Sequence, residues 1–94
     1  MSKISFVIKR NGAKVKFNKD RIVNAIYRAA VELGERDRKI AEHLANQVVE
    51  KLGEINKKDH VPHIEEIQDI VEKILIKNGH AKLAKTYILY REEN

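Results

Sequence analysis

Ninety-four residues make about one small domain, and a chain of this size buries only roughly 60–65% of the surface its unfolded form exposes, which argues against a large catalytic cavity. Hydrophobic residues at 43% and charged residues at 35%, with one Pro and four Gly, exclude a disordered tail and describe a compact, helix-leaning domain. The absence of Cys rules out disulfides, thiolate metal sites and thiol or thiyl chemistry within the chain.

No apolar run approaches the roughly 18 residues of a membrane span, and the segment from Met1 to Ile8 has no signal-peptide core. A cytoplasmic protein with no membrane partner is therefore expected. The net charge of +5 is unevenly spread. Residues 1–30 hold eight basic side chains against Asp20 alone, a balance of +7, while the remaining 64 residues sum to −2. An anionic partner is expected at the N-terminal third.

The chain opens with alternation, Ile4, Phe6 and Ile8 on one face and Ser5, Val7 and Lys9 on the other, the pattern of a strand with one buried side. Asn11-Gly12 then signals a hairpin, since a two-residue type I′ turn needs positive φ at both central residues. Such a turn pairs Lys9 with Lys14, Ile8 with Val15, Val7 with Lys16 and Phe6 with Phe17. The face of Phe6, Ile8, Val15 and Phe17 is then expected to pack on the rest of the fold, because an isolated hairpin is marginal in water.

Four helical patterns follow. The first starts after Asn18 as N-cap, carries Ile22, Ala25, Ile26, Ala29, Ala30 and Leu33 on one face, and ends at Gly34. The second is capped by Asp37, repeats Ile40, Ala41, Leu44, Ala45, Val48, Val49 and Leu52 at helical spacing, and is expected to stop at Gly53. A polar stretch leads to Val61-Pro62, whose extended step is a candidate third strand. The third helix carries Ile64, Ile67, Ile70, Val71, Ile74 and Leu75 up to Asn78-Gly79, and the fourth spans about residues 81–92. The expectation is an α+β fold, a small four-helix bundle capped by an N-terminal β-hairpin, in one domain over residues 1–94, with the sheet three-stranded and mixed if Val61-Pro62 joins it.

Most catalytic constellations are missing. The glycines at 12, 34, 53 and 79 are too dispersed for a phosphate-cradling loop, and no motif sets a His beside Ser2, Ser5 or Thr86. No catalytic residue is assigned. His60 and His63, with Asp59 and Glu66 nearby, have a spacing that can hold a divalent metal, but no third fixed ligand accompanies them, so no metal site is assigned.

Lys9, Arg10, Lys14, Lys16 and Arg21 form the informative cluster. With Lys9 opposite Lys14, the arrangement repels itself unless an anion lies between. Solvated strand faces and protected sheet edges also use lysine, so charge alone does not single out anion binding. A hairpin delivering Lys9 and Arg10 near a helix that begins at Asn18 would add free N–H groups and the positive helix end around a phosphate. Nucleic acid is the competing partner, motivated by a pI of about 9.5. It is disfavoured because no helix carries a dense basic face and Phe6 and Phe17 are read as core.

The segment Val7-Ile8-Lys9-Arg10-Asn11-Gly12, with Val15, Phe17-Asn18, Arg21-Ile22, Ala25-Ile26 and Ala29-Ala30, resembles the opening of the ATP-cone family. Ile64-Glu65-Glu66-Ile67-Gln68-Asp69-Ile70-Val71-Glu72 and Ala84-Lys85-Thr86-Tyr87-Ile88-Leu89-Tyr90-Arg91 resemble its third and fourth helices. The resemblance covers about residues 4 to 92. It implies a non-catalytic domain that binds ATP or dATP, with Mg²⁺, as an allosteric ligand. In that family the domain is fused to ribonucleotide reductase catalytic subunits, senses the ATP to dATP ratio and switches activity through oligomerisation.

Carried over by position, the resemblance implies phosphate contacts for Lys9 and Arg10 and base or sugar contacts for Val7 and Asn18. It also brings Arg21, Ile22, Gln68 and Arg91 into the nucleotide site. Arg21 stands where the family often has lysine, Gln68 where some members have histidine, and Asn11 where Asp is commoner. Implied partners are a nucleotide, a ribonucleotide reductase catalytic domain and, with nucleotide, a second copy of the chain. The alternative reading is a basic nucleic-acid-binding or transcription-regulator module of the same fold. The missing cysteines leave neither a reductase radical site nor the zinc ribbon found in a repressor that carries this domain.

Overall fold

The computed structural model describes residues 4–55 and 60–93. Two short strands, β1 (Phe6–Ile8) and β2 (Lys14–Lys16), precede four helices: α1 (Lys19–Glu32), α2 (Arg38–Ile55), α3 (Ile64–Lys77) and α4 (Ala81–Glu93). In the bundle α1 packs on α2 and α4, and α3 packs on the same two helices from the other side. The core is one apolar cluster: Ile22, Val23 and Ile26 of α1, Leu44, Val48 and Leu52 of α2, Ile67, Val71 and Leu75 of α3, and Leu83, Ala84 and Tyr87 of α4, joined from the hairpin by Val7. Small residues at Ala29, Ala30, Ala41 and Ala45, all buried, let the helix backbones approach closely at the contacts.

Local chemistry sets the helix ends. Asn18 is extended, and its side-chain oxygen accepts the Asp20 N–H at 2.9 Å, satisfying one of the unpaired donors of the first turn. The chain leaves α1 through Leu33 and a left-handed Gly34 with φ +91°. Asp37 Oδ1 accepts the Lys39 N–H at the start of α2. At α3 the Glu66 carboxylate reaches back to the His63 N–H at 2.7 Å. That bond, with help from His60, holds Glu66 below the usual carboxylate range. Asn78 and a left-handed Gly79 end α3.

The structure corrects four expectations. The hairpin pairs Phe6 with Lys16, Val7 with Val15 and Ile8 with Lys14, one residue out of the two-residue-loop register. The loop holds three residues, Arg10 to Gly12: Lys9 donates its N–H to the Ala13 carbonyl, Gly12 donates to the Lys9 carbonyl, both at 2.9 Å, and Gly12 is left-handed at φ +88°. That is the three-residue loop with a left-handed Gly at its end. A one-residue slip exchanges the faces, so Val7 is 7% exposed and in the core while Phe6 is 38% exposed. Phe17 only partly follows the expectation, packing on the core half-buried.

Lys9 therefore does not oppose Lys14. Lys14 pairs with Ile8, and its Nζ lies 4.8 Å from the centre of the Phe6 ring, a cation–π contact that removes the need for an anion there.

Among the described residues the sheet has two strands, not three. The segment before α3 makes a single parallel bridge between Ile8 and His63, with the Ile8 N–H donating to the Pro62 carbonyl at 2.9 Å. Finally, α2 does not stop at Gly53 but continues to Ile55. Gly53 does not adopt the positive φ by which Gly34 and Gly79 leave their helices, and Leu52 beside it is buried in the bundle, so packing overrides the propensity cost of about 1 kcal/mol.

Candidate functional site

The hairpin stands over one end of the bundle and encloses there a cleft of about 500 Å³, within the range of small-molecule sites. The hairpin contributes Val7, Lys9, Arg10 and Val15, α1 contributes Asn18, Arg21, Ile22 and Ala25 from its first turns, α3 contributes Ile64, Ile67 and Gln68, and α4 contributes Tyr87, Tyr90 and Arg91. Helical spacing explains each set. Ile22 and Ala25, Ile64 and Gln68, and Tyr87 and Arg91 stand three or four residues apart and share a face.

The eight residues expected at a nucleotide site, Val7, Lys9, Arg10, Asn18, Arg21, Ile22, Gln68 and Arg91, all line this one cleft. Its other lining residues include Phe17, Ala25, Ile64, Ile67, Tyr87 and Tyr90, whose spacing in the sequence marks them only as apolar-face or helix residues. The available signal was their position one helical turn from a polar site residue, as in Tyr87 before Arg91. Lys14 does not line the cleft, whereas Lys16 does.

The cleft is apolar inside and cationic at its edge. Val7, Ile22, Ile67 and Tyr87 are buried, while Lys9, Arg10 and Arg21 are exposed. Arg10 is positioned by α3: its Nη2 donates to Gln68 Oε1 at 3.3 Å and its Nε lies 3.7 Å from Glu65 Oε2. Arg91 lies 3.9 Å from Asp69 Oδ1 and 4.0 Å from Glu72 Oε1. Lys9 and Arg21 make no ion pair among the described residues. The first turn of α1 turns its positive end toward the same space through Asn18 and Arg21. Tyr90 receives a hydrogen bond from Arg28 at 2.6 Å, which ties α1 to α4 at the cleft wall.

Among the described residues lining the cleft there is no histidine, carboxylate, serine or threonine. Burial pushes the Tyr87 hydroxyl up to about 12, so it stays protonated near neutral pH and cannot serve there as a base. The geometry suits a ligand with a flat, largely apolar portion and a polyanionic portion. His60, considered earlier as a metal ligand, is 3.3 Å from Glu66 Oε1 instead. No group of three or more potential metal ligands occurs among the described residues, and Asp59 lies outside them.

A β-hairpin over a four-helix bundle, with an arginine- and lysine-edged cleft between them, defines a small α+β domain with a candidate site for an anionic ligand. The chain belongs to the ATP cone domain family, whose model matches residues 5–94. It is 41% identical over 95 residues to the vitamin B12-dependent ribonucleoside-diphosphate reductase of Thermoplasma acidophilum, covering 96% of this chain and 12% of that protein. It is 37% identical over 91 residues to the ribonucleoside-diphosphate reductase subunit alpha of Treponema pallidum, covering 93% of the chain and 11% of that subunit. With the anaerobic ribonucleoside-triphosphate reductase of Salmonella typhimurium the identity is 38% over 87 residues, covering 93% and 12%. The chain thus spans about a tenth of the length of the curated relatives it matches. No helix among the described residues is long and apolar enough to cross a membrane.

Proposed function

We propose that the cleft binds ATP or dATP with Mg²⁺ on its phosphates, and that occupancy regulates a ribonucleotide reductase catalytic domain. Residues 1–94 act in this reading as one cytoplasmic module that carries the signal, through nucleotide-dependent association of copies. The observation that carries it is the convergence of Lys9, Arg10, Arg21 and Arg91, drawn from three separate elements, around the apolar interior formed by Val7, Ile22 and Ile67. Such an interior accepts a purine by burial of its faces, while arginine forks and a lysine ammonium match phosphate oxygens. Asn18, whose side-chain oxygen is committed to the helix cap, keeps its amide N–H₂ for an acceptor on the sugar or base.

Regulation requires that the ligand bind one arrangement of the protein better than another. The hairpin is the wall through which a ligand could bias the fold: it meets the segment before α3 through the Ile8–Pro62 hydrogen bond, α3 through the side chain of Arg10, and the core through Val7. Isothermal titration with MgATP and then with MgdATP tests the reading. Saturable heat with either nucleotide, lost in the charge reversals Lys9→Glu and Arg10→Glu while the fold is retained, is the expected result. Full affinity in both variants would remove these residues from the site, and no heat with either nucleotide would remove the function.

A further inference from the structure

The cationic edge of the cleft is already partly neutralised by the protein itself. Glu65, Asp69 and Glu72 stand four and three residues apart on α3, along one face of the helix. Glu65 Oε2 lies 3.7 Å from Arg10 Nε, Asp69 Oδ1 3.9 Å from Arg91 Nη1, and Glu72 Oε1 4.0 Å from Arg91 Nη2. These carboxylates do not line the cleft, but the two arginines that they hold do. Arg10 comes from the hairpin and Arg91 from the last turns of α4, so one helix face restrains cations from opposite ends of the chain.

From this we infer that the α3 carboxylates act as an internal counter-anion, and that Glu65 competes with the ligand's phosphates for Arg10. The inference rests on the nucleotide reading of the cleft and adds a regulating residue outside it. The pair is half-exposed on both sides, 52% and 55%, so it is weak and exchangeable. In the free protein Glu65 and Gln68 hold the Arg10 guanidinium against α3. A phosphate approaching Lys9 and Arg21, which make no ion pair among the described residues, draws Arg10 against the hold of Glu65. Glu65 thereby sets how much phosphate charge is needed to fill the cleft, and its release frees the hairpin side of the Arg10 contact to follow the ligand.

The test compares Glu65→Gln with the same charge change at Glu42, an exposed residue of α2 outside the cleft. Titration with MgATP should show tightening of about 2- to 5-fold in E65Q, the span an exposed ion pair allows. E42Q should stay within about 1.5-fold of the parent, since a remote exposed charge is screened. Thermal unfolding of E65Q should lie within about 5 °C of the parent, showing that the fold persists. In ¹⁵N spectra the Arg10 Nε–H signal of the free parent should differ from that of free E65Q, and the two should converge once both proteins are saturated with MgATP. Unchanged or weaker binding by E65Q, or equal tightening in E42Q, would overturn the inference while leaving the nucleotide site intact. Absence of binding by the parent chain would instead overturn the nucleotide reading and this one with it.

Discussion

Val7 lies directly opposite Val15 in the hairpin, and that pairing puts Lys9 on the cleft side of its strand. Side chains alternate along a strand, so Lys9 shares the face of Val7 and lines the cleft, while Lys14, opposite Ile8, leans on the Phe6 ring instead. Lys9→Gln should therefore weaken MgATP binding about tenfold or more, the loss expected for a charge-assisted hydrogen bond to phosphate. Lys14→Gln should change it less than about twofold. Titration of both variants checks the face assignment, and comparable losses in the two would contradict it.

Gly12 provides the second prediction. Its φ of +88° lies where an L side chain is strained, and no atom stands within 4 Å of an added Cβ. The cost of Gly12→Ala is thus conformational, about 1–2 kcal/mol. A melting temperature lowered by roughly 4–8 °C per kcal/mol should be seen in calorimetry. Nucleotide affinity should fall as well, because Lys9 and Arg10 lead directly into that turn.

Packing supplies the third. Leu44 is 1% exposed in the centre of the bundle and Leu89 on α4 is 56% exposed. Leu44→Ala should cost about 2–5 kcal/mol through lost burial and the cavity left behind. Leu89→Ala should stay within about 0.5 kcal/mol. Urea denaturation curves of the two variants, with equal slopes, make the comparison direct.

Alkaline titration supplies the fourth. Tyr87 is 4% exposed, and burial lifts its hydroxyl from 10.0 to about 12, opposed in part by Arg91. The folded state favours the neutral phenol, so this contribution is complete below pH 10 and is lost as pH rises from about 10 to about 12. Its size is on the order of 2–3 kcal/mol. Tyr87→Phe should flatten the fall in stability over that window, measured by urea midpoints at successive pH values.

The helix boundaries were largely legible because local chemistry makes them. Asn18 caps α1 with its own side chain, and Gly34 and Gly79 leave their helices with positive φ. The hairpin register was not, because Asn11-Gly12 serves two loops. In the one observed, Asn11 Oδ1 accepts the Ala13 N–H at 3.0 Å and only a three-residue loop results. What selects it is tertiary: Val7 enters the core and Ile8 bonds to Pro62, neither of which alternation over a few residues encodes. Gly53 misled for the same reason, since a helix held by its buried neighbours passes through a glycine. At the cleft, Lys9, Arg10 and Arg21 announced themselves by charge. Tyr87 and Ile67 did not, because an apolar residue facing a ligand has the same periodicity as one facing the core.

The cleft takes its residues from positions 7 to 91, with Lys9, Arg10 and Arg21 before the Gly34 turn and Gln68 and Arg91 after it. A chain divided at that turn would leave each piece with an incomplete set of cations and half of a hydrophobic interior. On the proposed reading neither piece would hold a nucleotide alone, and the nucleotide would act as adhesive between them. Occupancy of the cleft would then be a report that the first strand and the last helix have met.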